Sequence, residues 1–397
     1  MRIHQRLIPY SFKVEANSLT ARILLAMVTT AGIFYVNILP ILIGGLVDGL
    51  GFSKQQAGYV ASANIYGAAL GVLFAALLIK AVPWKQLVGS SLVLLIVMEI
   101  GSSAINQPML LVVVRFIAGV FGGVITGIAI AVIARTHHPD RSFGVMLVMQ
   151  FGLGGLGLLL LPDIVVIMGP RIIFLTIATL SFLALAIIPL LSDYPVVSAD
   201  HHTATAKNLM ATELVILTLL AIFFFQASGI GVFAFIERLG QFYHLSIEWI
   251  SFSLALSSWV GIPGSFAAIL LSTRFGRLAP IVGAIAVACF GFWLLLFAKN
   301  PQVFLWGNIL LAFAWAFILP YLFGICAELD KVGQMAAFGG MASKIGLATG
   351  PLVAAKILSG DNYELLIYTA IAGLIVCLLA AAYPALILDK HRIKQNH

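Results

Sequence analysis

The stretch LLVVVRFIAGVFGGVITG, residues 110–127, sets one arginine, Arg115, among apolar residues, glycines and a single threonine. A run of this kind is either a buried core element or part of a membrane crossing, and the rest of the chain decides which. Of 397 residues, 61% are hydrophobic and 9% charged, against about 25% charged in an average soluble domain. That composition excludes an ordinary water-soluble globule. Apolar runs fall at about 21–47, 56–79, 87–105, 109–133, 143–168, 171–192, 213–236, 250–271, 279–298, 304–327, 336–358 and 363–388. At roughly 20 residues per crossing of the hydrocarbon layer, they predict an all-α membrane protein of 12 transmembrane helices with short connections.

The net charge of +7 does not point to nucleic acid, because the cations lie between the apolar runs and form no basic face interleaved with aromatics. It reads as membrane topology. With both termini cytoplasmic, fifteen Lys and Arg fall inside, Arg2, Arg6, Lys80, Lys207 and Lys331 among them, and only Lys54, Arg171, Arg238 and Lys299 fall in outer loops. This is the asymmetry of the positive-inside rule. Residues 1–20 are polar and charged, and the first apolar run is too long for a signal peptide, so it is expected to be the first span. Cys289, Cys326 and Cys377 are odd in number and lie in apolar runs, which excludes a disulfide framework.

The longest polar gap, SDYPVVSADHHTATAKN at 192–208, splits the runs six and six. The expected organisation is an N-terminal six-helix bundle over 1–192, a cytoplasmic linker over 193–212 and a C-terminal six-helix bundle over 213–397. An offset of 193 lays GVLFAALLIKAVPWKQL (71–87) on GSFAAILLSTRFGRLAP (264–280). It also pairs Phe52-Ser53 with Leu245-Ser246, Asn64 with Ser257, Tyr66 with Trp259 and Arg115 with Asn308. Two halves in parallel orientation, related by an axis along the membrane normal, are one way transporters are built.

Three features resemble the major facilitator superfamily. LLSTRFGRL (270–278) is similar to the family's G-x-x-x-D-R-x-G-R-R loop, keeping Arg274, Gly276 and Arg277 but not the acid. Its first-half counterpart, LLIKAVPWKQL (77–87), has no acid and has Pro83 where the glycine belongs. RFIAGVFGGV resembles the fourth-helix signature R-x-x-x-G-x-G through Arg115, Gly119 and Gly122. GLATGP (346–351) fits the antiporter pattern G-x-x-x-G-P, but on the eleventh run instead of the fifth, so that signature is not carried over. The resemblance implies the family's fold, two pseudo-symmetric six-helix bundles, and secondary transport. It also implies a conformational latch at Arg274, Gly276 and Arg277.

Other motifs carry less. GLGGLG (152–157) satisfies a dinucleotide fingerprint but lacks the strand, helix start and acid that fingerprint needs, and its glycines read as close helix packing. No phosphate-cradling G-x-x-x-x-G-K-[ST] loop occurs, so uphill movement would draw on an ion or solute gradient. The pairs His137-His138 and His201-His202 read as solvated loop residues, and no metal or other cofactor is expected. No nucleophile, base or metal constellation marks an enzyme.

Arg115 inside a span costs at least ~2.5–3.5 kcal/mol on insertion scales, so it needs a partner or a wet cavity. Glu99 and Arg115 lie equally far from the turn at Gln107, so an antiparallel hairpin places them at one depth. Two readings stay open: an ion pair locking the third span to the fourth, or a cavity-facing anion site with Glu99 as the proton-coupling group. Lys344, about two turns into the eleventh run, is expected to face the cavity. Tyr35, Asn37, Asn64, Tyr66, Gln150, Gln226, Trp259 and Asn308 complete the substrate-binding candidates, with Tyr66 and Trp259 either stacking on a planar ring or packing the two halves together.

The expected protein is a monomeric secondary active transporter of the inner or plasma membrane, working by alternating access on a small organic solute and coupled to a proton or other ion gradient. Arg115 and Lys344, one in each half, point to an organic or aromatic carboxylate. The alternatives are a proton-coupled multidrug exporter and, from another class, a non-transporting membrane receptor or scaffold.

Overall fold

The computed structural model describes residues 13–79, 81–194, 212–272, 274–329 and 334–395. Among the described residues fourteen α-helices form: α1 Leu19–Asn37, α2 Leu39–Gly44, α3 Lys54–Leu78, α4 Trp84–Ser103, α5 Pro108–Ile133, α6 Pro139–Met168, α7 Ile172–Ile187, α8 Thr212–Ala234, α9 Ile236–Phe242, α10 Ile247–Leu271, α11 Leu278–Leu295, α12 Pro301–Leu329, α13 Gln334–Ile357 and α14 Tyr363–Gln395. Twelve contain apolar segments long enough to cross a membrane, while α2 and α9 do not. An even number of crossings returns the chain to the face it left; that face is called the terminal face below, and the opposite one the far face. Most of the linker expected at 193–212 lies outside the described residues, as do His201, His202, Arg2, Arg6, Lys80, Lys207 and Lys331.

Within α1 to α7, α3 packs on α5, α4 on α5 and α7, and α1 on α5, α6 and α7. Within α8 to α14, α8 packs on α13 and α14, α10 on α12, and α11 on α12 and α14. Two broad contacts join these groups, α3 with α13 and α6 with α10. The glycines of the opening stretch explain the closest crossing. A methyl at Gly119 would run into the Asn64 carbonyl, and one at Gly123 into the Ala68 carbonyl, so α5 meets α3 backbone to backbone. Without a hydrophobic force between helices in lipid, such small-residue contacts are how spans associate.

The repeat extends to helix starts. Ser53 Oγ accepts from the Gln56 N–H (3.1 Å) while Gln56 Oε1 accepts from the Ser53 N–H (2.9 Å), a capping box opening α3. Ser246, its partner under the offset of 193, accepts from the Trp249 N–H (3.3 Å) and opens α10. One expectation changes: the run 21–47 is not a single helix. The α-helix stops at Asn37, Ile38 adopts φ −106° and ψ 18°, and α2 follows with Pro40 in its first turn, where a missing N–H is tolerated. A short π-turn, Gly45–Gly49, completes the segment. The second half breaks in the same way at Phe235, with φ −111° and ψ 13°, before α9.

Candidate functional site

A cavity lies between the two groups of helices. Ile33, Val36 and Asn37 of α1 and Gln150 and Phe151 of α6 line it from one side. From the other come Phe225, Phe233, Ser257, Ser258, Asn308 and Trp315, among a mostly apolar remainder. None of the lining residues is acidic. The polar edges are partly committed: Asn37 Nδ2 donates to the Gln150 carbonyl (3.1 Å), and Asn308 Nδ2 to the Phe304 carbonyl (2.8 Å). The amide oxygens of Asn37 and Asn308 thus remain to accept, beside a Phe151–Trp315 pair packed edge to face at 6.3 Å.

Of the residues expected to bind substrate, Asn37, Gln150 and Asn308 line the cavity and the others do not. Arg115 is fully buried and Glu99 is 1% exposed. Arg115 Nη1 donates to both Glu99 oxygens (2.8 and 2.9 Å), and Nη2 donates to Ser102 Oγ (2.5 Å) and the Met98 carbonyl (3.2 Å). The guanidinium carbon stands 5.0 Å from the centre of the Phe174 ring and 5.8 Å from that of Tyr35, within cation–π range. The arginine thus clasps α5 to α4 and packs on α1 and α7, away from the cavity. Tyr35 spends its hydroxyl on the Val60 carbonyl (3.3 Å), and Asn64 donates to the Arg115 carbonyl (3.1 Å), tying α3 to α5.

Tyr66 and Trp259 each reach the opposite half. Tyr66 Oη lies 2.8 Å from Thr349 Oγ1, and Trp259 Nε1 donates to the Gly152 carbonyl (3.3 Å) while its indole packs on Gly155. The two ends of the repeat pair therefore fasten the two broad contacts between halves. Ser258 Oγ adds a bond to the Phe151 carbonyl (3.1 Å). Gln226 stands behind the wall: its Oε1 accepts from Trp315 Nε1 (2.9 Å) and its Nε2 donates to Ser343 Oγ (2.7 Å), so it aims the Trp315 ring.

Lys344 lies deep between helices yet keeps accessible surface. On α13 it shares a face with Leu347, a cavity residue, and with Gly340, beside which space is open. Among the described residues no acid pairs with it. The lining aromatics were missed by a search for polar residues, although helical spacing carried the signal: Asn308, Leu311, Ala312 and Trp315 fall at i, i+3, i+4 and i+7.

On the far face the cavity ends at a seal in which α2 meets α9. Ile38, Leu39, Leu42, Phe235, Ile236 and Leu239 are buried there. Arg238 pairs with Asp48, and Lys54 with Asp361, across the two halves. On the terminal face the loop at 272–277, where the resemblance implied a latch, is held by acids from elsewhere in its own half. Gly276 takes φ +72°, and Asp389 of α14 accepts from the N–H groups of Arg277 (2.8 and 3.0 Å) and Leu278 (3.1 Å), capping α11. Arg277 Nη2 reaches Glu328 (2.6 Å). In the first half Asp193, close to Asp389 under the repeat, takes Lys85 (2.9 Å) and Lys13 (3.1 Å).

A family profile described as Major Facilitator Superfamily matches residues 23–351. Among solved structures, a D-xylose-proton symporter superposes with a TM-score of 0.74 at 14% identity, covering 93% of this chain and 96% of that one. The nucleoside transporter NupG superposes with a TM-score of 0.70 at 12% identity, covering 92% and 98%. At these identities the likeness is one of fold. No curated protein sequence matches the chain.

Proposed function

Because the chain belongs to the major facilitator superfamily and is therefore a multi-pass secondary transporter and not an enzyme, we propose that it moves a small organic solute with an apolar or aromatic body and a carboxylate, by alternating access around the cavity between its halves. The observation that carries this reading is the cavity wall itself: aromatic and aliphatic surfaces from both halves, a few amide and hydroxyl groups, no acid, and Lys344 on the face of α13 that continues from it. An apolar wall with a few placed polar groups suits a small organic ligand. The ammonium of Lys344 supplies the charge, and Arg115, spent on Glu99, does not share that task. The solutes named for the structural neighbours, xylose and nucleosides, are uncharged, and they belong in the test for that reason.

The experiment is a thermal-shift screen of purified protein against aromatic and aliphatic carboxylates, pentoses, nucleosides and lipophilic cations, run beside Lys344→Ala and Trp315→Ala. A ligand that binds the native state raises the melting temperature by mass action. Stabilisation by carboxylates that vanishes in Lys344→Ala is the expected result. Stabilisation by neutral or cationic lipophiles that survives Lys344→Ala and is lost in Trp315→Ala would sink the carboxylate reading. It would favour instead an exporter of lipophilic compounds, which the largely apolar wall would serve.

A further inference from the structure

The far-face seal contains a carboxylate that neither the cavity nor the ion pairs use. Glu237 follows Ile236, a cavity-lining residue, on α9, and is 7% exposed. Its carboxyl group lies against α2 of the other half: a methyl at Gly44 would meet both of its oxygens and their carbon. Gln241 Nε2 donates to Oε1 over 3.3 Å, and Oε2 has no hydrogen-bond partner. From its own helix Arg238 acts on it, and from the π-turn of the other half Asp48. Arg238 gives its guanidinium to Asp48 and to Gln241 Oε1 (2.8 Å), and makes no bond to Glu237. The neighbouring helix α10 presents Ile250, which packs on Gly240.

An anion with an unpartnered oxygen in an apolar seam is costly, whereas the neutral acid is not. Parting α2 from α9 would admit water to the same group. We propose that Glu237 is a proton-binding site of the seal: the halves close on the far face with Glu237 protonated, and opening there hydrates the carboxylate and releases the proton to that side. The inference deepens the transporter reading and draws on it for its role in coupling, while the titrating seal itself can be tested alone.

Burial pushes the Glu237 carboxyl up from 4.5 to about 8, against Arg238 and with the help of Asp48; α9 lies outside the twelve spans. In the open state, hydrated, the group keeps an ordinary carboxylate value. Between those two values the closed state holds a proton that the open state lacks, so the open fraction rises with pH, about tenfold per unit. It is flat below the window and levels off above it.

Amide hydrogen exchange of the full chain in lipid nanodiscs, corrected for the intrinsic base-catalysed rate, reads this at residues 39–49 and 236–242. Their protection is expected to fall about tenfold per pH unit from roughly pH 5 to 8, and to stay high throughout in Glu237→Gln. A wild type without the fall, or a fall that survives in Glu237→Gln, overturns the proposal. Should Glu237→Gln lose protection in α4 and α5, and so be unfolded, Glu237→Asp decides: a transition moved or lost relative to wild type supports the proposal, and an unmoved one overturns it. No solute is needed, so this result and the thermal-shift result fail independently.

Discussion

Arg115 shows what a cation can do inside a bilayer without touching a solute. Its charge is neutralised by Glu99 within 2.9 Å, with Ser102, Met98 and two aromatic faces around it. Removing one partner of a buried pair strands the other, at about 3–5 kcal/mol. Glu99→Gln or Arg115→Met should therefore lower the stability measured by unfolding in detergent by roughly that amount, while Glu99→Leu with Arg115→Met should recover most of it. Neither single change should alter which solutes stabilise the protein, because the pair lies off the cavity. At the site, Gln226→Leu should leave the fold intact but loosen Trp315, weakening ligand-induced stabilisation by a factor that corresponds to about 1–2 kcal/mol for one lost buried bond. The equal spacing about Gln107 made the ion pair one of two readings open in the sequence, and its geometry decides for it. The placement of Asn64 and Gln226 was not legible, and packing between the halves was one of two open readings for Tyr66 and Trp259, because polarity marks a residue that needs a partner in lipid and does not say whether that partner is a solute or another helix. Phe151 and Trp315 were silent for the opposite reason: an aromatic lining residue looks like any other apolar residue of a span.

Between elements, backbone contact and loop clasps set the geometry. Where α5 crosses α3, Gly119 leaves no room for a methyl, so Gly119→Leu should prevent folding, seen as loss of a monodisperse, ligand-responsive species. Twelve crossings were legible from run length alone, and the correspondence of Ser53 with Ser246 from the repeat, though not that both cap helices. The break at Ile38 was hidden because α1 and α2 fall within one predominantly apolar run, with only Ile38 between them. The clasps were hidden because their acids lie far away in sequence. Asp389→Ala should remove the cap on α11 and lower stability by about 1 kcal/mol. Asp193 adds a pH dependence. Desolvation pushes its carboxyl up, but Lys85 and Lys13 outweigh that and hold it below the usual carboxylate value. A depressed value stabilises the folded clasp at neutral pH, an effect lost as pH falls through the folded value. The Val14 amide, which donates to the Leu190 carbonyl (2.8 Å) beside this clasp, should lose exchange protection in acid in the wild type. In Asp193→Asn the protection should be low at every pH.

For the whole molecule, what matters is how firmly the far face is shut. The Arg238–Asp48 and Lys54–Asp361 pairs cross it, with Asp48 56% and Asp361 68% exposed, so each is worth at most about 1 kcal/mol. Asp48→Asn or Lys54→Gln alone should raise the open fraction only a few-fold, read by exchange at residues 39–49 at pH 5, where Glu237 is neutral. The same change should shrink in high salt, which screens the pairs in the wild type. The seal is carried by α2 and α9, and each joins the long span before it through one kinked residue, Ile38 or Phe235, with nearly the same dihedral angles. A swing at these two residues would part the closing segments while leaving the long spans their tilt and their girth in the lipid. Acyl-chain length and bilayer tension would then weigh on the rocking of the bundles but not on this local opening: protection at residues 39–49 should be the same in short-chain and long-chain vesicles, even where turnover differs.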